Sequence, residues 1–137
     1  MSLVIRECEE EASLPAEMVK ANVKAIGPIT YSYIRDSRAG GESDLIQPEC
    51  EFIYELPLPA DVIPKPNDTE VEAFELLTVE KCQEYLAEGQ FKPNCAIVML
   101  DFFIRHGVIT EETDGKDVYG QIVKRVHRDL GMPGPWK

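Results

Sequence analysis

Apolar residues recur along the chain with two different periods, and each change of period marks a new element. Between Val4 and Leu14, Ile5, Cys8 and Ala12 fall at i, i+3 and i+7. That is one stripe of a helix, which Pro15 stops. From Val23 to Ile34 the period becomes two, with Ile29, Tyr31 and Tyr33 alternating against Thr30 and Ser32. This predicts a strand, bent or bulged at Gly27-Pro28. Residues 36–44, mixed in charge and carrying Gly40-Gly41, read as a flexible loop. A second strand follows, where Phe52, Tyr54 and Leu56 alternate with Glu51 and Glu55. Prolines 57, 59, 64 and 66 make residues 57–67 a rigid crossing loop. The stretch Glu70 to Leu77 alternates again, acidic on one face and Val71, Ala73 and Leu77 on the other, and predicts a third strand.

Three helices are expected in the remainder. Thr78 offers an N-cap to a helix striped by Val79, Cys82 and Leu86 and closed by Gly89. Pro93 opens an apolar helix running to His106 and ended by Gly107, with the all-round composition of a buried element. Asp117 is placed to cap a last helix striped by Val118, Ile122, Val126 and Leu130, with Gly131 ending it. Strands followed by helices, without an internal repeat, give an α+β sandwich.

Composition narrows the partners. A chain of 137 residues with 44% hydrophobic and 28% charged residues can bury one core and fits one domain, 1–137. Fourteen Lys and Arg against twenty-five Asp and Glu leave a net charge of −11, which repels phosphate backbones and anionic lipid. Neither nucleic acid nor a membrane is expected as a partner. No apolar run approaches the roughly 18–20 residues of a membrane span, and no signal-peptide layout opens the chain, so a cytoplasmic protein is expected. Cys8, Cys50, Cys82 and Cys95 are scattered, without C-x-x-C spacing or a nearby His, and read as solitary thiols ahead of two disulfides.

Chemistry concentrates in the first helix. At about 100° per residue, Glu7, Glu10 and Glu11 share an arc separate from the apolar one. Like charges at these spacings repel by a few tenths of a kcal/mol per pair, so the cluster favours a compensating cation. Hard oxygen donors without imidazole suit Mg²⁺ or Mn²⁺, and Arg6, four residues before Glu10, can brace the carboxylates. A solvated acidic helix face is the plainer reading of the same spacing.

The stretch Arg6-Glu7-Cys8-Glu9-Glu10-Glu11-Ala12-Ser13-Leu14 resembles the second half of the Nudix box, G-x5-E-x7-R-E-U-x-E-E-x-G-U with U apolar. Arg6-Glu7 matches its R-E, Cys8 and Leu14 its apolar positions, and Glu10-Glu11 its E-E; Ser13 stands where the box has glycine. Further blocks are similar to the thiamine-pyrophosphokinase-related branch of that family. They are Gly27 to Tyr31, Phe52 to Pro59, Pro64 to Phe74, Phe91 to Cys95 and Asp101 to Gly107. The resemblance implies a Nudix-like α/β/α sandwich and metal-dependent hydrolysis of a diphosphate linkage. A thiamine diphosphate derivative would be the small-molecule substrate, and a monophosphate the product. It assigns Glu10 and Glu11 as Mg or Mn ligands, Glu7 as a further ligand or base-orienting carboxylate, and Arg6 as its electrostatic partner. Glu70 and Glu72 are candidates for the additional acid that many Nudix enzymes recruit from a later loop.

The box's glycine and first glutamate would lie fourteen and eight residues before Arg6, ahead of Met1. The expectation is therefore a C-terminal portion of a Nudix domain, without its first strands and glycine loop, and a sheet edge that a second copy could cover as a homodimer. His106 and His127 read as helix-end and surface residues, Lys92 and Asn94 as the approach to a helix, and Tyr31, Tyr33, Phe52 and Tyr54 as strand aromatics ahead of a ring pocket. No Ser-His-Asp or Cys-His spacing, P-loop or dinucleotide fingerprint occurs. A catalytically inactive fragment or interaction module is the alternative function, and an acidic scaffold for a basic protein a third.

Overall fold

The computed structural model describes residues 2–34 and 44–131. The element order is α1 (Ser2–Ala12), α2 (Ala16–Asn22), β1 (Lys24–Ile34), β2 (Ile46–Glu55), α3 (Val79–Ala87), α4 (Pro93–Arg105), α5 (Glu111–Asp114) and α6 (Lys116–Val126). Strands β1 and β2 pair as a two-stranded antiparallel sheet, so the class is α+β. The loop expected over 36–44 falls outside the described residues except at Asp44. The chain divides into two compact units, Met1–Ile26 with Tyr54–Glu84, and Gly27–Ile53 with Tyr85–Lys137.

In the first unit the α1 stripe does what its spacing requires. Ile5, Cys8 and Ala12 pack with Leu14 and Val19 of the following turn and α2, joined by Met18, Val23, Leu56 and Val62. Burying that stripe leaves the carboxylates on the other faces of α1. The helix stops at Ser13, whose φ of 54° is left-handed; its N–H donates to the Glu9 carbonyl at 3.2 Å and that of Leu14 to the Cys8 carbonyl at 3.1 Å. Pro15 both excludes continuation and opens α2, which the sequence reading passed over. The third strand expected over 70–77 does not form: residues 71–78 have no regular structure. Its apolar face is not buried as a strand's would be, with Ala73 exposed and Val71 and Leu77 only partly covered, and an unpaired strand has no ladder to hold it. Thr78 caps α3 as expected, accepting from the Lys81 N–H at 3.2 Å.

In the second unit Ile29, Tyr31, Ile53 and Val126 form the core, with Tyr33, Ile97, Val98, Leu100 and Ile122 against it. Helix α4 is less buried than its composition suggested; only Asp101 and Phe103 are fully inside. Helix α6 begins under Gly115, with Asp117 inside its first turn, and it ends at Val126. The chain then pairs in parallel with β1 at His127 and Thr30. The Arg128 N–H donates to the Thr30 carbonyl at 2.8 Å, and the Thr30 hydroxyl donates to the Arg128 carbonyl at 2.7 Å. Val118 is therefore half exposed, and Leu130 lies beyond the helix. The four cysteines are free thiols. Among the described residues no helix is long and apolar enough to cross a membrane.

Candidate functional site: the acidic face of the first helix

Helix α1 places Glu7, Glu10 and Glu11 together with Arg6 in one element. Arg6 Nη2 donates to Glu7 Oε1 at 2.8 Å, and its Nε lies 3.5 Å from Glu10 Oε2. The hydrogen bond to Glu7, with the fields of Glu10 and Glu7, makes the Arg6 guanidinium hold its proton still more firmly. All of these groups are substantially exposed, so the pairs order the side chains more than they stabilise the fold.

Among the described residues no cation is paired with Glu11. Desolvation pushes its carboxyl above the usual range, and Glu7, Asp68 and Glu70 push in the same direction. The last two come from a distant stretch of chain, and three hydrogen bonds bring that stretch to α1. The Lys65 N–H donates to the Ala12 carbonyl at 3.0 Å, Ser13 Oγ to the Lys65 carbonyl at 3.1 Å, and Asn67 Nδ2 to the Glu9 carbonyl at 3.2 Å. The proline-rich loop is thus fastened to the end of α1. Asp68 Oδ1 then accepts the N–H of Glu70 at 2.9 Å, turning the chain immediately afterwards.

Of the two later acids singled out from the sequence, Glu70 enters the field of Glu11; Glu72 is not among the groups acting on it. Asp68, which does act on Glu11, was not among the candidates; its place after Asn67 at the end of a loop rich in proline was the available signal. Carboxylates are hard donors of the kind that Mg²⁺ or Mn²⁺ takes, and the fields of Glu7, Asp68 and Glu70 reach Glu11. They are not drawn into a preformed cage, for among the described residues no three His, Cys, Asp or Glu side chains are grouped to hold a metal.

The remaining candidates lie elsewhere. Lys92 and Asn94 are exposed at the start of α4, and Lys92 makes no side-chain cap. His127 Nε2 is 3.4 Å from Asp101 Oδ1, whose other oxygen accepts from Arg105 Nε at 2.6 Å, and His106 lies against the Phe102 ring. Tyr31 is a core residue of the second unit, and Phe52 is exposed.

Comparison with known proteins adds a family context. No family model matches the chain. An uncharacterized protein of Saccharomyces cerevisiae is 43% identical over 134 residues, covering 95% of this chain and 39% of the yeast protein. Nudix hydrolase 20, chloroplastic, of Arabidopsis thaliana is 33% identical over 89% of the chain and 31% of the plant protein. Nudix hydrolase 24, chloroplastic, of the same plant is 32% identical over 87% and 31%. The chain therefore spans between about a third and two fifths of the length of these curated relatives. The two plant proteins, aligned over most of this chain, support Nudix family membership.

Proposed function

We propose that this chain belongs to a Nudix-type hydrolase that cleaves a diphosphate linkage with the help of Mg²⁺ or Mn²⁺. Thiamine diphosphate derivatives are the substrate class, and monophosphates the products. The observation that supports this reading is the fastening of the loop that leads to Asp68 and Glu70 onto the end of α1, which carries Glu7, Glu10 and Glu11. Glu10 and Glu11, with Glu7, would hold the ion. Bound there, the ion would offset substrate charge, polarise a phosphoryl oxygen and favour deprotonation of water.

The chain's own residues have separable tasks. Arg6 fixes the rotamers of Glu7 and Glu10 through its two contacts, so that neither has to be ordered when the ion arrives. Glu11, kept hungry for positive charge by its neighbours, gives the face its attraction for a cation. Glu70 is the additional acid of the proposal, fit to accept a proton from water, and Glu72 is the second choice.

The test is phosphate and monophosphate release from a panel of thiamine diphosphate analogues and nucleoside diphosphate conjugates, with Mg²⁺ or Mn²⁺ present. We expect turnover by the parent chain and a loss of at least a hundredfold in Glu10→Gln, within the range that metal-supported phosphoryl chemistry commands. Two folded proteins that both release nothing would overturn the reading for this chain. A second reading, a non-catalytic interaction module, is favoured by the absence of a preformed three-ligand group among the described residues. It predicts no metal-dependent stabilisation at all. Pairing of two copies through the sheet is proposed at β2, whose outer edge has no partner strand among the described residues. A single monomeric sedimenting species would count against that pairing.

A further inference from the structure

The second unit contains a cavity of about 540 Å³, within the roughly 300–1,000 Å³ range of small-molecule sites. Its lining includes Tyr31 and Ser32 of β1, Ile97 of α4 and Ile122 of α6, together with the basic residues Lys124, Arg125 and Arg128. The Tyr31 hydroxyl is already within 2.5 Å of Glu49 and 2.6 Å of Glu51, so the ring is what this residue has left to offer. Three of the chain's fourteen basic residues thus meet in one concavity of a molecule whose net charge is −11. None of the three side chains is paired with a carboxylate among the described residues.

We infer that this cavity binds an organic phosphate: a flat or apolar body against Tyr31, Ile97 and Ile122, with its phosphate against the three cations. Two guanidinium groups and an ammonium match the oxygens of a phosphate, and the acidic remainder of the protein would repel the same ligand anywhere else. The plainer role of Lys124 and Arg125 is to offset the negative end of α6, in whose last turn they stand. Arg128 is past that turn, bound through its backbone to Thr30, so its side chain is not needed for the helix end. The inference does not rest on the acidic face of α1, and the two fail separately.

The experiment is calorimetric titration of the 137-residue chain in EDTA, which removes the divalent ions that α1 would use, with phenyl phosphate, inorganic phosphate and phenol as probes. Phenyl phosphate should bind at least about tenfold more tightly than either fragment. Arg125→Gln and Arg128→Gln should each weaken it by about tenfold with unchanged circular dichroism, while Glu10→Gln leaves it as it was. Equal affinity for phenyl phosphate and inorganic phosphate, or full affinity in the Arg125→Gln/Arg128→Gln double variant, would overturn it. A lowered melting temperature in Arg125→Gln with no binding to the parent assigns the cations to the helix end alone and also overturns it.

Discussion

Ser13 bears a backbone cost that its neighbours do not. A left-handed φ of 54° puts Cβ against the following carbonyl, at about 1–2 kcal/mol for an L-residue. The resemblance to the Nudix box placed a glycine at this position, and the geometry shows what a glycine would do there. Ser13→Gly should change stability by no more than about 1 kcal/mol, because the relief of strain is offset by the lost hydrogen bond to Lys65 and the greater freedom of the unfolded chain. A shift of the urea midpoint at constant slope checks it. Glu11 bears an electrostatic cost instead. Its folded carboxyl titrates above the unfolded one, so the folded state binds more protons between the two, and stability falls as pH rises through that interval. In metal-free buffer the parent should lose stability from about pH 4 upward relative to Glu11→Gln, whose curve lacks that fall. Parallel curves for the two proteins would remove Glu11 as the source. Both costs were half legible: the helical arc of Glu7, Glu10 and Glu11 follows from spacing, whereas the approach of Asp68 depends on where a loop returns, which local pattern does not encode.

Elements were legible where one stripe meets one core. The stripe of α1 and the alternation of β1 predicted their own burial, whereas the all-round apolar composition of α4 overstated it; Thr78, Pro93, Gly89 and Gly107 marked ends that the structure retains. The failure over 70–77 has a physical cause, since alternation specifies two faces but no partner. Short α2 and α5 went unread because seven and four residues give less than two turns of periodicity, although the Thr110–Thr113 capping box was there to be seen. Helix α4 depends on Phe103, which is 1% exposed and whose carbonyl accepts the N–H of Val108 at 2.8 Å and of Ile109 at 3.2 Å. Phe103→Ala should cost about 3–5 kcal/mol, the range for truncating a fully buried phenylalanine. Thermal melting reads that loss directly. A change under 1 kcal/mol would mean that the site collapses freely, as a loosely packed helix would.

At the scale of the whole molecule the excess of acidic groups acts as a field rather than as contacts. Self-repulsion at −11 should make the protein more stable as sodium chloride is raised, with Mg²⁺ more effective than Na⁺ at equal ionic strength if α1 holds a divalent ion. Melting temperatures of the parent and a Glu7→Gln/Glu10→Gln/Glu11→Gln variant separate the two effects: screening survives in the variant, and the advantage of Mg²⁺ does not. The tie between Thr30 and Arg128 has a different kind of consequence, because its partners are 98 residues apart in sequence. On a ribosome adding about 5–20 residues per second, β1 waits about 5–20 s after its own synthesis before the strand-like segment that covers it exists. During that interval a nascent chain exposes Ile29 and Tyr31 without Val126 to cover them, and that is when a chaperone would have the most to hold.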